Sequence, residues 1–393
     1  MSLRRALVIS IALFGLTVVA PRAQAPAAPP TVVQIAADLH VLALLSDGTV
    51  SALGNNRSGQ LGRPKVTRGF LPVARVELPE RAVQIAAGED ASYAVLEDGT
   101  VWAWGRGYAR NFGVALEGTE RHTPMAVAGL RNVTRIAVDG ETVMAILDDG
   151  TVLGWGELPA IVTGGQSVVP GVTLPRAIEG LHDVVDLAGG SASGFALTRD
   201  GRVFGWGNNR KGQLGRGTES ATPLPPGEVT GLRDVVSIAY VAGVAAAVTR
   251  DGRVWTWGDN GQAGLGNGLH GDTGDPGQPS PQPVKGIADA VEVKAGTFGR
   301  HFIVRRQHQT LIGWGNSDWG QLGAGVSGDH QPTPAAIKLP GVENFWLGGN
   351  FSFARTTDGA VWFWGEESAS PGLLGLRGNQ RLPVKVPLTK FVP

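Results

Sequence analysis

The segment GWGNNRKGQLG, Gly205 to Gly215, is the first place in this chain where chemistry suggests itself, because glycine-rich loops of this look can cradle phosphates. It matches neither G-x-G-x-x-G nor G-x-x-x-x-G-K-[ST], and no helical pattern follows it. Close copies stand at Gly54 (GNNRSGQLG), Gly258 (GDNGQAGLG) and Gly315 (GNSDWGQLG), which makes the segment a structural turn used several times. The seven histidines are scattered with none at ligand spacing from another. Asp272 and Asp275 lie in a Gly-Pro-rich stretch without the twelve-residue calcium pattern. The carboxylate pairs Asp148-Asp149 and Glu366-Glu367 fall at a hairpin turn and a loop start, and no nucleophile motif is present. The reading is therefore no enzyme, no catalytic residue, no metal and no cofactor.

What must position these recurring loops is a repeat. An Asp-Gly marker of the form DG-x-V occurs at Asp47-Gly48, Asp98-Gly99, Asp149-Gly150, Asp200-Gly201, Asp251-Gly252 and Asp358-Gly359. The strand after each marker ends in a glycine: Gly54, Gly105, Gly156, Gly207, Gly258, Gly315 and Gly365, spaced by 51, 51, 51, 51, 57 and 50 residues. The sixth of the seven units carries His308-Gln309 where the others have Asp-Gly. Alternating runs on both sides of Asp-Gly predict a two-residue type I′ hairpin. Each unit holds an apolar run (Val83 to Ala87), two alternating runs (Ser92 to Glu97, Thr100 to Trp104) and a fourth segment after a long loop (Thr123 to Leu130). Four short strands per period of about fifty residues predict an all-β, seven-bladed β-propeller. Trp102 and Trp104 lie on one strand face, and the same pattern at Trp155, Trp206, Trp255, Trp257, Trp314, Trp362 and Trp364 makes nine of eleven tryptophans structural. RLPVKVPL near the C-terminus reads as a fourth strand and VVQIAADL at the start as a first strand. The two are expected to share one blade and so close the ring.

The N-terminus has Arg4 and Arg5, an apolar run from Ala6 to Ala20 and an A-x-A at Ala23 to Ala25. That predicts a signal peptide over residues 1–25, with cleavage after Ala27 as the alternative, then an Ala/Pro-rich linker over 26–30 and the propeller over 31–393. Export to the periplasm or beyond is expected, with no membrane span in the mature chain. Without cysteine, stability after export rests on packing. The 34 basic and 34 acidic residues become 31 and 34 once the first 25 are removed, which argues against nucleic acid as partner.

The loop type GWGNNRKGQLG, the first strand of the type Ile85 to Gly88 and the DG-x-V-x-x-W-G hairpin together resemble the RCC1 (regulator of chromosome condensation) repeat family, from about residue 31 to 393. The resemblance implies the seven-bladed fold. Its members include a nucleotide exchange factor for a nuclear GTPase, ubiquitin-ligase domains, a plant ultraviolet receptor and a secreted bacterial β-lactamase inhibitor, most of which present a propeller face to another protein. The family often has histidine three residues after the first-strand glycine, where this chain has Ala91, Ser193 and Gly299. The third unit also departs, reading GELPAIVTGG from Gly156.

Positions where one unit differs from its siblings are the candidates for binding. The second loop carries Arg106, Tyr108, Arg110 and Phe112. The fifth runs on through His270 and Asp272, and the sixth has Asp318 and Trp319. All are third-to-fourth-strand connections and belong on one rim, whereas Arg305, Arg306 and His308 of the sixth hairpin belong on the other. Tyr, Trp and Arg on loops are typical binding hot spots; the competing reading has Tyr108, Phe112 and Trp319 capping blade edges. The expected function is an exported, monomeric, protein-binding scaffold or inhibitor-like module. Carbohydrate binding is the alternative, and guanine nucleotide exchange the weaker analogy.

Overall fold

The computed structural model describes residues 29–393 except 64–68, 108–111, 113–119, 159–171, 190–191, 271–276, 298, 327 and 368–373. Seven four-stranded antiparallel sheets follow one another along the chain, over 32–76, 82–126, 133–177, 184–228, 235–283, 290–337 and 342–386. The first strand of each sheet lines a central channel and the fourth forms the outer edge. The all-β, seven-bladed expectation holds. The expected signal peptide lies outside the described residues.

Both faces of a blade meet a neighbouring blade, so the second strands are buried at every position in HVLALL (His40–Leu45), ASYAVL (Ala91–Leu96) and SGFALT (Ser193–Thr198). The hydrophobic core is accordingly seven layers between blades. One layer packs Leu42, Ala52 and Leu61 of the first blade against Ala94 and Trp104 of the second. Trp104, Trp155, Trp206, Trp257, Trp314 and Trp364 are all fully buried.

Two expectations need correction. The terminal strands do not share a blade: the first sheet is built from the first four strands alone, and residues 380–386 complete the seventh. Because the repeat starts in phase with a first strand, no strand is left over to exchange. Closure comes instead from side chains, with Val32, Val41 and Leu53 of the first blade packed on Phe351, Phe353 and Phe363 of the seventh and on Phe391 beyond it. Arg355 Nη1 donates to the Val32 carbonyl at 2.6 Å, and Ser51 Oγ donates to the Phe391 carbonyl.

The hairpins are also not type I′. In the first, the Gly48 amide donates to Leu45 O at 2.9 Å and only Gly48 is left-handed (φ 81°). That is a type I turn followed by a glycine bulge. Asp47 stays in the right-handed region because its Oδ1 accepts from the Thr49 amide (3.0 Å) and hydroxyl (2.7 Å). The sixth hairpin keeps the geometry with Gln309 at φ 58°.

Candidate binding face at the loop rim and channel mouth

The repeated glycine loop is a clamp between blades. In the first copy Asn55 Oδ1 accepts from the Arg57 amide (3.0 Å), Gln60 Oε1 from the Ser58 amide (2.9 Å) and Asn56 Oδ1 from the Leu61 amide (3.0 Å). These bonds fold the loop without a partner strand. Leu61 is thereby driven into the core, and Gly62 (φ 66°) lies so close to the Trp104 indole that a β-carbon there would stand 3.0 Å from Nε1. The Gln60 carbonyl accepts from Trp104 Nε1 (2.9 Å) and Ser92 Oγ (2.8 Å) of the next blade. Trp257, Trp314 and Trp364 donate in the same way to Gln213, Gly264 and Gln321 at 2.8–2.9 Å. Trp206 Nε1, which follows the unit without the motif, is buried with no partner among the described residues.

Two histidines join this clamp. His40 Nε2 lies 2.6 Å from Ser92 Oγ and His301 Nε2 3.2 Å from Ser352 Oγ. Each serine spends its only proton on the loop carbonyl of the blade before it, so Nε2 must carry the hydrogen and the imidazole is neutral. Burial holds the His40 pKa down to about 3 and that of His301 to about 4. His301 faces Gly315 as His40 faces Gly54, so His301 takes the family's histidine position that the sequence assigned to Gly299. A longer connection between the first and second strands had shifted the count.

The outlier residues separate. Phe112 is only 2% exposed and meets the Tyr93 ring edge at 6.4 Å, a capping role. Tyr108, Arg110 and Asp272 lie outside the described residues. Arg106 pairs with Glu120 (3.0 Å) and Asp90 (3.8 Å). Asp318 accepts from Asn316 Nδ2 (2.9 Å) and helps fix its own loop. His270 meets His330 of the next blade at 5.8 Å, a proximity that their distance along the chain concealed. Among the described residues no group of three or more His, Cys, Asp or Glu is arranged to hold a metal ion. Trp319 stands out at 39% exposure, with its amide fixed by Gln321 Oε1 at 2.9 Å. On the opposite rim Arg305 pairs with Glu292 (3.1 Å), Arg306 with Asp289 (2.7 Å), and His308 is exposed.

The channel supplies what the sequence reading did not. Gln34 bridges the Ile85 amide and carbonyl, and Gln84 does the same at Ile136, so the inner edges of the sheets are laced to one another. Farther round, Arg135 pairs with Asp186 (3.1 Å) and Lys294 with Glu292 (3.0 Å). Burial raises the Asp186 pKa and lowers that of Lys294. A cavity of about 360 Å³ fills this channel, with Asp139 on its wall. At its mouth on the loop rim, the ends of the first strands of blades one to three and the connections that follow them bring Asp38, Glu89, Asp90, Asp139 and Glu141 together. Burial, then the charges of Glu89, Asp139 and Asp90, push the Asp38 carboxyl up to about 7. Glu141 is raised by burial, Glu157 and Glu89.

Fold and rim define a closed seven-bladed propeller that carries its variable chemistry on the loops of one face. The RCC1-like domain model matches residues 12–346, and the chain belongs to that family. It is 31% identical over 334 residues to the human E3 ubiquitin-protein ligase HERC2, a match covering 81% of this chain and 7% of the ligase. The ultraviolet-B receptor UVR8 of Arabidopsis thaliana is 29% identical, over 78% of this chain and 70% of the receptor. The chain thus spans a small part of the ubiquitin ligase and most of the receptor. Among solved structures, yeast RCC1 (Prp20), crystallised bound to Kap60, superposes with a TM-score of 0.71 at 19% identity, covering 91% of this chain and 85% of that one. Human WBSCR16 gives 0.70 at 22% identity, over 82% and 87%.

Proposed function

We propose that the chain is an exported protein-binding propeller that engages its partner through the loop rim. The observation that carries this reading is Trp319, a large aromatic side chain exposed at the tip of a loop whose backbone is fixed by its own hydrogen bonds. A preorganised aromatic of this kind binds with little loss of conformational entropy. Yeast Prp20, a fold relative, is described as binding Gsp1p and histones, which supports a protein as the class of partner. Export rests on the pattern of residues 1–25. Phe112, being buried, drops out of the binding surface under the protein and the carbohydrate readings alike.

The test is a crosslinking pull-down from the exported fraction with the mature protein and its Trp319→Ala variant, both shown folded by thermal melting. A protein captured by the first and lost by the second supports the reading. Equal capture by both removes Trp319 from the site, and glycan binding without any captured protein overturns the reading.

A further inference from the structure

The acidic mouth is unevenly placed. Blades one to three contribute Asp38, Glu89, Asp90 and Glu141 in their connections between first and second strands and Asp139 at the end of a first strand, while the corresponding connections of blades four to seven hold no Asp or Glu among the described residues. Among the described residues, Arg106 lies 3.8 Å from Asp90 and is more closely held by Glu120. Asp38 takes the position that Gly88, Gly296 and Gly348 hold in their blades, each with its amide bonded across the start of the second strand. The β-carbon direction at Gly88 points toward the Gly140 carbonyl of the following blade. By the same geometry the Asp38 carboxyl points toward the Glu89-Asp90 connection of blade two. Its Oδ1 is buried and has no hydrogen-bond partner among the described residues. A buried carboxylate oxygen without a donor, facing three other carboxylates, is a costly arrangement that a cationic donor would relieve. Beside it Leu39 is 43% exposed and offers an apolar shelf for an aliphatic stem.

We propose that this mouth receives a lysine or arginine side chain of the bound partner, with Asp38, Glu89 and Glu141 as the receiving carboxylates. The proposal rests on the protein-binding reading above and deepens it. A metal ion is the poorer occupant, because no three carboxylates among the described residues converge on one point. A flexible ammonium or a forked guanidinium tolerates the wider spacing.

The probe is a fluorescent hexalysine peptide titrated into the mature protein, with hexaglutamate as the control. Glu89→Gln combined with Glu141→Gln is expected to weaken hexalysine binding tenfold or more. Asp38→Asn is expected to weaken it several-fold while raising the melting temperature, since it removes a like charge. The groups facing Asp38 are Glu89, Asp90 and Asp139, with neutral His40 next but one in the chain. Titration calorimetry at pH 6 in two buffers of different ionisation heat is expected to show proton release on peptide binding by the parent and little by Asp38→Asn. Equal binding by parent and variants, or calcium binding with no peptide binding, overturns the proposal. If the pull-down partner is lost by Trp319→Ala but kept by the double Gln variant, the partner reading stands and the cation site falls. If hexalysine depends on these carboxylates but no protein is captured, the site stands and its assignment to a protein partner falls.

Discussion

Six of the interfaces between blades are built round a buried tryptophan, and the seventh, where the two ends of the chain meet, is built from phenylalanines. Leu53 stands opposite Val41 in the register where Trp104 stands opposite Ser92, so blade one brings no indole to the closing layer. The space is filled from the other side by Phe351, Phe353, Phe363 and Phe391, with ring centroids 5.2–6.1 Å apart. The difference teaches how the ring is held. A tryptophan layer joins blades adjacent in sequence, and at Trp104, Trp257, Trp314 and Trp364 the indole adds a directional bond to the preceding loop. The closing layer joins segments some 340 residues apart, as between Ser51 and Phe391, and relies on burial to offset the entropy of closing that long loop.

The largest effect is expected at the closing layer. Phe391→Ala removes a fully buried ring and is expected to cost about 3–5 kcal/mol in denaturant unfolding. A loss below about 1 kcal/mol would mean that the C-terminal turn does not close the ring. Acid should act on the tryptophan layers instead. His40 and His301 bridge blades one to two and six to seven, and their folded pKa values, about 3 and 4, lie below the ordinary 6.5. Their contribution is present above pH 6.5 and lost as pH falls toward 4. Asp38 has the opposite sign: with its pKa raised to about 7, its contribution is full below pH 3.8 and lost as pH rises through 7. Asp38→Asn is therefore expected to stabilise the protein at pH 8 by about 2–4 kcal/mol and to make no gain at pH 4. Melting curves across pH 4–8 check both signs.

Smaller effects sharpen the comparison among the tryptophan layers themselves. Trp104→Phe removes an indole donor from the Gln60 carbonyl, whereas Trp206→Phe removes a donor that has no partner among the described residues. The first is expected to cost about 1 kcal/mol more than the second by urea titration. Smallest is Gln309→Gly in the sixth hairpin. It relieves a left-handed non-glycine residue and is expected to gain about 0.5–1 kcal/mol in the same measurement.

Blade number and tryptophan roles were legible in the sequence because both follow from a period that repeats seven times. Closure was not, because RLPVKVPL and VVQIAADL are each compatible with either arrangement, and phase alone decides between them. His301 escaped because its strand connection is longer than those of its siblings. Phe112 and Trp319 look alike in sequence, and only the packing around Tyr93 separates the buried ring from the exposed one. The acidic mouth does carry a sequence signal in the short connections, DLH, GED and DGE against GGS and VAG. Its burial and its orphaned Asp38 oxygen depend on neighbouring blades and have no sequence signature.

Each sheet uses four consecutive strands, so every boundary between blades is topologically the same kind of joint. The first and last blades are already neighbours, tied by Arg355 to Val32 and by Ser51 to Phe391. A short peptide joining residue 393 to residue 31, with new termini opened in the 77–81 connection, would rearrange the gene without cutting a single sheet. Such a permuted chain would make the phenylalanine layer a local joint and hand the long-range closure to the Trp104 layer.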